Sequence, residues 1–583
     1  MHRLLYSYPF EDDGIPRKQA QRLVELIDMT FNDFRFFSKF KECVKDIGYK
    51  VRPEILIIDE ASMVDEVLMA LLSSIVDTYS LEHLIIVGDN NQLPPIGLGK
   101  PFIDIIDFLN EKYGEKFIVN LTQPIRFSTS IGIWAFSQAI ACIDYPINDI
   151  ERYVDETFKI EYFLDENDLK EKIRQILLEI LGSSENHDDG SELLKLLNKA
   201  LHLVHMEKPE LDKVQILTPT RYGELGAEYI NRALVLGHKH IENCDYVKLI
   251  NEQNRYVTLS NYGRMLLIPN GSLGYWVKED KKERIEFEEV REFKDKLSKD
   301  RRQIEMSLSR AKSRVDKKIY YKLLRRFKND NNKIINMLKD IKREIKGQYK
   351  EGESHISPAY AITVHKSQGS DFYYVILVLS RVSSFTTKEL MYTALTRARK
   401  TIYLLLKKDL KDRIASIFQQ IKSLSETEKR QTLLFKYRRY PGKTYVLKLK
   451  DGKTIYVRSK IEYMIAKTLD DIGVKLEYEP NDFKEYGIIP DFKIIIDGKV
   501  FYIEHLGLLD KEWYRKRWEA KRKIYEKLKL LDQVITTSEP KEASIAVEEI
   551  IKRIVSDIRK NKLVKTKDGH PSKHHYILCE NAE

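Results

Sequence analysis

Short runs of consecutive aliphatic residues that stop at an acidic residue or a glycine constrain this chain more than any other feature. Ile55 to Ile58 runs straight into Asp59-Glu60, and Leu84 to Val87 runs into Gly88-Asp89. A strand that is apolar at every position, rather than at alternate ones, is expected to be covered on both faces, as in a parallel sheet flanked by helices. Segments of helical period separate the runs, so residues 51–150 read as a parallel α/β unit. A second such block starts at Val214-Gln215-Ile216-Leu217, resumes at Ala359-Tyr360-Ala361-Ile362 and continues in a strand from Tyr374 to Leu379. An insertion, about 235–355, interrupts it. Its first part, ending at Arg264 to Gly274, reads as short strands around a turn. Its second part, about 281–350, is dense in both charge signs with a helical period and reads as a projecting helical hairpin. A solvated spacer and a nucleic-acid-contacting arm are both open for that hairpin.

Residues 411–440 read as a linker, polar and basic from Ser423 to Tyr440. A hairpin follows: Tyr445 to Leu449, a turn at Asp451-Gly452, then Thr454 to Val457. Next come a helix opening at Ser459, strands near Asp491 and Phe501, and two more helices to about residue 560. The Lys- and His-rich end, 561–583, reads as a flexible tail. The organisation expected is therefore 1–150, 151–410 with its insertion, the linker 411–440, and 441–560.

Among 583 residues, Cys43, Cys142, Cys244 and Cys579 are scattered without C-x-x-C spacing, so neither a disulfide framework nor a zinc site is suggested and a reducing cytoplasm fits. No apolar run approaches membrane-spanning length, and no membrane partner is expected. The net charge of +10 favours a polyanionic partner.

The chemistry sits where the strands end. Asp59 is placed to hold Mg²⁺ through water, and Glu60 beside it is the candidate base for nucleoside triphosphate hydrolysis. Gly88-Asp89-Asn90-Asn91-Gln92-Leu93-Pro94-Pro95 follows the next strand, its prolines stiffening the loop. Downstream lie Thr363-Val364-His365-Lys366-Ser367-Gln368-Gly369 and Tyr392-Thr393-Ala394-Leu395-Thr396-Arg397-Ala398-Arg399. Together, in this order over about residues 1–405, these motifs resemble the superfamily 1 helicases, most closely the RecD-like branch. The resemblance implies two RecA-like lobes, ATP and Mg²⁺ as cofactors, and single-stranded or partly duplex DNA as partner. It implies that Gln92 senses the γ-phosphate and that Arg126 and Arg397 point at it. It also implies that Thr218 and Thr220, in Thr218-Pro219-Thr220-Arg221, and Thr363, His365 and Gln368 grip the strand's phosphates.

No G-x-x-x-x-G-K-[ST] phosphate loop occurs. Gly442-Lys443-Thr444 has Tyr437 where a glycine is required, and Gly452-Lys453-Thr454 has Leu447. Both lead into strands rather than opening a helix. Met1-His2-Arg3-Leu4-Leu5 resembles a family segment downstream of the loop, so the first lobe is expected to be incomplete. Truncation, a split gene with the loop on a separate chain, and loss of ATPase activity are the three readings. The persistence of Asp59, Glu60, Gln92, Arg126 and Arg397 favours the first two. The chain alone is expected to lack ATPase activity.

Near the C-terminus, Glu462 lies in a helix, Pro490-Asp491 ends an extended segment, and Glu504 lies in the next strand. Three such carboxylates can converge on Mg²⁺ or Mn²⁺ at a scissile phosphate. This resembles the PD-(D/E)XK nucleases of restriction and Vsr type, with one departure: Leu506 stands where the pattern has lysine. In a helicase-associated subgroup the lysine lies on the following helix, which makes Lys521 the first choice, with Lys516 and Lys523 as substitutes. The expected fold class is α/β, with two RecA-like parallel-sheet lobes (the first incomplete) and a restriction-endonuclease-like domain. The expected function is a fragment or subunit of an ATP-dependent DNA helicase–nuclease in repair or defence against foreign DNA. A non-catalytic DNA-binding scaffold and an RNA helicase are the alternatives.

Overall fold

The computed structural model describes residues 22–23, 25–27, 29–30, 36–47, 50–121, 131–141, 147, 149–182, 193–203, 209–259, 263–279, 282–310, 314–347, 355–382, 386–430, 445–507, 512–538, 547–559 and 575–577. In the first lobe, β1 (Ile55–Ile58) and β2 (His83–Ile86) pair in parallel, Ile55 opposite His83 and Ile58 opposite Ile86. The helices are α1 (Phe37–Ile47), α2 (Glu66–Ile75) and α3 (Pro101–Tyr113). Asp65 starts α2 by accepting the Leu68 amide at 2.7 Å. Leu56, Ile58 and Ile86 pack into the core formed with Phe40, Leu71 and Phe102. The expected burial of both faces does not hold. Strand alternation sends Ile55, Ile57, Ile85 and Val87 to the other face, where Ile57 is 61% exposed, because among the described residues the helices cover one face.

The second lobe begins with α4 (Ile131–Ala141), β3 (Phe158–Phe163), α5 (Glu166–Leu181), α6 (Leu193–Ala200) and β4 (Val214–Thr218). Helix α4 lies before the boundary expected at residue 150, yet Phe136 stacks on Phe158 with ring centroids 4.6 Å apart and meets Phe418 at 5.3 Å. It therefore packs with the second lobe. The insertion contains β5 (Tyr246–Asn251), β6 (Arg255–Leu259), β7 (Gly263–Ile268), β8 (Leu273–Glu279) and β9 (Lys282–Phe287). The hairpin helices α7 (Glu288–Arg310) and α8 (Arg314–Ile345) follow, then β10 (Ile356–Pro358). Its sheet has the order β10–β5–β8–β9, with β6 paired to β7 apart from it. The strands expected around residues 264–274 are thus β7 and β8, which join different sheets. The arm is tied at its base by Arg255, whose guanidinium donates twice to Glu344 at 2.8 Å and once to Asn251 at 2.8 Å.

Strands β11 (Ala361–Thr363), β12 (Phe372–Leu379) and β13 (Ala398–Lys407) complete a parallel sheet of order β11–β4–β12–β13–β3. Here the apolar runs are buried on both faces, as expected. Helix α9 (Lys388–Leu395) packs against α4. The expected linker is structured in part. Helix α10 (Ile414–Ser423) buries Ile417, Phe418 and Ile421 in the lobe's core, apolar positions that the surrounding polar composition conceals. After it, buried Glu389 accepts the Glu426 amide at 2.9 Å and the Ser425 hydroxyl. Residues 431–440, and Gly442-Lys443-Thr444, lie outside the described residues.

The C-terminal module opens with the expected hairpin, β14 (Tyr445–Lys448) and β15 (Thr454–Val457), whose Gly452 takes φ 85° at the turn. Helix α11 (Lys460–Asp471) is capped by Ser459, which accepts the Glu462 amide at 3.1 Å. Then come β16 (Lys475–Tyr478), β17 (Phe492–Ile496), β18 (Lys499–Leu506), α12 (Glu512–Lys527), β19 (Val534–Ser538), α13 (Val547–Arg559) and β20 (His575–Ile577). The sheet runs in that order, antiparallel from β16 to β18 and parallel from β18 to β20. Strand β20 falls in the segment expected to be a flexible tail, where pairing with β19 supplies the order that its polar composition does not suggest. Helices α11 and α13 cover one face with Phe501, Ile503 and Ile535, while α12 covers the other with Tyr502, Leu506 and Val534.

Candidate active sites: a strand-end cleft and a carboxylate cluster

Where β1 ends, Asp59 and Glu60 are both exposed. Glu60 adopts the left-handed conformation (φ 51°, ψ 41°) and donates its amide to Asp59 Oδ1 at 2.9 Å. The Ala61 amide bonds the Val87 carbonyl at 2.8 Å, holding the two strand ends together. A Cβ on Gly88 would lie 2.9 Å from the Phe102 ring and 3.1 Å from the Ser62 nitrogen, so glycine is required there. Asp89 organises the following loop. Its Oδ1 accepts the Asn91 amide at 3.0 Å, and its Oδ2 accepts Gln92 Nε2 at 3.2 Å and the Tyr392 hydroxyl at 3.1 Å. The Gln92 Oε1 is buried with no hydrogen-bond partner among the described residues.

This loop is stitched to the second lobe. The Leu93 amide donates to Thr393 Oγ1 at 2.9 Å, and the Leu93 carbonyl accepts Gln368 Nε2 at 2.9 Å. Arg430 reaches back to the Gly97 carbonyl at 2.6 Å. Arg397 is 4% exposed, and its guanidinium donates to the Thr393 carbonyl (3.0 Å), the Ser370 carbonyl (2.9 Å) and Thr396 Oγ1 (3.2 Å). In this arrangement those donors serve its own lobe. Arg126 lies outside the described residues.

Beside β4 and β11, Thr218 is fully buried and donates to the Thr220 carbonyl at 2.7 Å. Thr363 caps the next turn by accepting the Lys366 amide at 3.3 Å. A cavity between β11 and the insertion is lined by Arg221, Thr363, Lys366 and Glu252. Glu252 bridges Lys366 and Arg221, the latter at 2.8 Å. Despite burial, which pushes it up, those two cations hold the Glu252 carboxyl below its usual range. Burial, with Lys460 second, pushes half-buried His365 down to about 4. His365 therefore faces the C-terminal module electrostatically.

In that module the period of β18 puts Glu504 on the same face as Tyr502 and Leu506, against α12. Trp518, Lys521 and Tyr525 fall at i, i+3 and i+7 on that helix, which brings them to one face. Lys521 donates to Glu504 Oε1 at 2.6 Å and to the Ile489 carbonyl at 2.5 Å. The Tyr525 hydroxyl donates to Glu504 at 2.6 Å. Asp491 accepts the His505 amide at 2.7 Å; burial, then Glu504, push its carboxyl well above the usual range, with Lys521 opposing. Glu462 contributes to that field, and its Oε2 accepts the Tyr478 hydroxyl at 2.6 Å and the Arg458 amide at 3.0 Å. Lys516 and Lys523 are exposed on α12. Among the described residues no three His, Cys, Asp or Glu side chains form a ready metal cage, either here or at Asp59. The donor chemistry still fits a divalent cation: half-buried Asp491 and buried Glu504 are carboxylates close enough that Glu504 adds to the cost of charging Asp491.

Tyr392 stands inside a motif without an assigned role, and Glu252, Glu426, Tyr478 and Tyr525 join the sites from outside every motif. The spacing of Tyr525 from Trp518 and Lys521 was a usable signal, whereas Glu252 and Glu426 gain their partners only in three dimensions.

Residues 358–405 match the UvrD-like helicase C-terminal domain and residues 15–98 match an AAA domain. The chain is 30% identical to an uncharacterized protein of Methanocaldococcus jannaschii, over 81% of this chain and 39% of that one. It is 26% identical to RecBCD enzyme subunit RecD of Buchnera aphidicola, over 60% of this chain and 53% of that one. The same subunit of Haemophilus influenzae is 21% identical over 67% and 55%. The chain thus spans about two-fifths to about half the length of these relatives. Among solved structures, the Pif1 helicase from Bacteroides in complex with ADP-AlF3 and ssDNA aligns at 16% identity, over 63% of this chain and 72% of that one, with a TM-score of 0.24. The matched segments fall in both lobes of a mixed α/β fold, and the similarity to RecD covers part of that subunit. No helix among the described residues is long and apolar enough to cross a membrane.

Proposed function

We propose that this chain is part of an ATP-dependent DNA helicase that also carries a metal-dependent DNA endonuclease, acting in DNA repair or in defence against foreign DNA. Asp59, Glu60 and Gln92 form the hydrolytic side of the nucleotide site. The phosphate-gripping loop is supplied from elsewhere, by a further segment or a separate chain, and residues 1–583 alone turn over ATP negligibly. That loop's lysine and amides carry most of the phosphate binding in this class. Thr220, Thr363, His365 and Gln368, with Lys366 beside them, line the path of the nucleic-acid strand, and Thr218 supports Thr220 from within.

The nuclease reading is carried by one observation: the Lys521 ammonium sits on Glu504 across from half-buried Asp491, although the lysine lies on a different element from either acid. Asp491 and Glu504, with Glu462 beside them, would hold Mg²⁺ or Mn²⁺. That cation, when bound, polarises a phosphodiester and acidifies water. Lys521 neutralises charge that builds on the phosphate, and Tyr525 fixes the Glu504 rotamer. Buried Trp518 packs beside them on the same face of α12.

The test is cleavage of end-labelled DNA by the full chain in Mg²⁺ or Mn²⁺. Cleavage is expected, lost in Asp491→Ala and Glu504→Ala and severely slowed in Lys521→Ala. Carboxylate variants indistinguishable from wild type would leave the module a DNA-binding scaffold.

A further inference from the structure

The helical arm is not uniform in charge. Between Tyr321 and Lys339, α8 carries Lys322, Arg325, Arg326, Lys328, Lys333 and Lys339, and its one acidic residue there, Asp330, is fully buried. All six cations are exposed, as are Asn329, Asn331, Asn332 and Asn336. Helical periodicity places Arg325, Lys328, Asn332 and Lys339 in one row with Tyr321, and Lys322, Arg326 and Lys333 in the row beside it. The opposite side of the helix holds the packed residues Phe327, Ile334 and Ile341, which meet Phe293 and Leu297 of α7. Ion pairs quench little of the exposed face. Lys333 stands 3.7 Å from Asp330, whereas the tighter pairs among the described residues of the arm lie off this face, Arg301–Glu305 on α7 at 2.8 Å and Lys342 and Lys346 with Glu283 at the base at 2.5 and 2.8 Å.

We propose that this face of α8 is a docking surface for the phosphate backbone of duplex DNA. The row from Tyr321 to Lys339 is about 27 Å long at the helical rise. That is a straight, rigid ridge of cations and amides, and the partner it complements is an equally regular ridge of phosphates. A single strand is bound by aromatic platforms on which bases stack, and among the described residues Tyr321 is the one aromatic exposed on this face. One aromatic at the end of a ridge of cations gives no succession of platforms for a single strand, so the ridge selects the duplex. The surface lies on α8, a different element from those that carry the residues assigned to the strand path, so it goes beyond the helicase reading. It gives the chain a grip on double-stranded DNA independent of the groove.

The experiment compares the full chain with a variant carrying Lys322→Gln, Arg325→Gln, Arg326→Gln and Lys328→Gln together. Glutamine keeps helix propensity close to that of the residues it replaces, and far-ultraviolet circular dichroism checks that helix content is unchanged. The probes are a blunt 30-base-pair duplex and an oligothymidylate of the same length. Duplex affinity should fall by at least about tenfold at physiological salt, and the slope of log affinity against log salt should flatten by roughly three to four, one counterion per lost phosphate contact. Affinity for the oligothymidylate should change less than about twofold. Unchanged duplex affinity, or an equal loss on both probes, overturns the proposal. An equal loss would mean that the face serves the single strand. Failure of the wild type to bind oligothymidylate while duplex binding still depends on the arm would instead count against the helicase groove.

Discussion

The Tyr392 hydroxyl donates to Asp89 Oδ2 at 3.1 Å, linking the loop that follows β2 of the first lobe to helix α9 of the second. The same carboxylate oxygen also holds Gln92, so the side chain assigned to sense the nucleotide and the helix leading to Arg397 share one acceptor. Burial, then Asp89, push the Tyr392 phenol far above its ordinary value, so it remains a donor at any working pH. A change in Gln92 that draws on Asp89 is thereby felt in the second lobe. Tyr392→Phe removes the donor and leaves the packing, and a hydrogen bond to a charged acceptor contributes about 1.5–3 kcal/mol. The variant should unfold at lower denaturant, with faster proteolysis between the lobes. An unfolding midpoint and digestion rate equal to wild type would show that this bond does not hold the lobes.

A second joint is made by Glu426, 4% exposed between the second lobe and the C-terminal module. Its carboxylate lies 3.1 Å from Lys460 on α11 and 3.7 Å from Arg430, and it accepts the Tyr445 hydroxyl at 3.3 Å. Although burial pushes its carboxyl up, Lys460, Arg430 and Lys429 hold it below the usual range. Glu426→Ala leaves Arg430 and Lys460 facing one another, and breaking a buried pair in this way costs about 3–5 kcal/mol. Calorimetry should then resolve the C-terminal module as a separate transition at lower temperature. A single transition at the wild-type position would remove Glu426 from the joint.

The parallel sheet of the second lobe and the α/β order of the C-terminal module were legible because their apolar runs and turn residues agree with what surrounds them. Asp451-Gly452 marks a turn, Ser459 marks a helix start, and the structure has both. The first-lobe strands misled: Ile55 and Ile57 are as apolar as Ile216 or Leu217, and an aliphatic run does not reveal whether both of its faces find helices. Residues 414–430 misled in the other direction. Ile417, Phe418 and Ile421 are few, and Glu389 and Glu426 look like surface acids until the chain closes on them. At the carboxylate cluster Glu462, Asp491 and Glu504 stand out in the sequence as carboxylates on a helix and two strands, whereas Lys521 was implied only by the family resemblance, and which lysine on α12 meets Glu504 depends on strand phase.

That phase makes the α12 assignment testable at Tyr525 as well. Its hydroxyl holds Glu504 Oε1, the oxygen that also meets Lys521. Burial, then Glu504, push the phenol up, so it too stays protonated. Tyr525→Phe should keep the fold and reduce metal-dependent cleavage by about tenfold, since misplacing one group of an oriented set is costly. Lys521→Ala should cost more, while Lys516→Ala and Lys523→Ala, both at exposed positions, should cut like wild type. Loss of cleavage in Lys516→Ala or Lys523→Ala with a normal Lys521→Ala would move the lysine's role to another position on the helix.

The last prediction concerns Lys248, fully buried where the insertion meets the second lobe. Its ammonium donates to the Leu211 carbonyl and to Gln215 Oε1, both at 2.7 Å. Burial pushes its pKa down from 10.5 to about 7, against the pull of Asp212. The folded group is therefore the weaker base. Between about pH 7 and 10.5 the unfolded chain binds a proton that the folded chain does not, so this residue makes stability rise as pH rises through that window. Below pH 7 both states are charged and its contribution is flat. Each pH unit inside the window corresponds to about 1.4 kcal/mol. Lys248→Met removes this dependence whatever it does to absolute stability. Denaturant unfolding at pH 7.5 and 9.5 should show the wild type gaining about 2–3 kcal/mol relative to the variant. Parallel behaviour of the two proteins across that interval would mean that Lys248 stays charged in the folded lobe, held by Asp212 more strongly than burial opposes it.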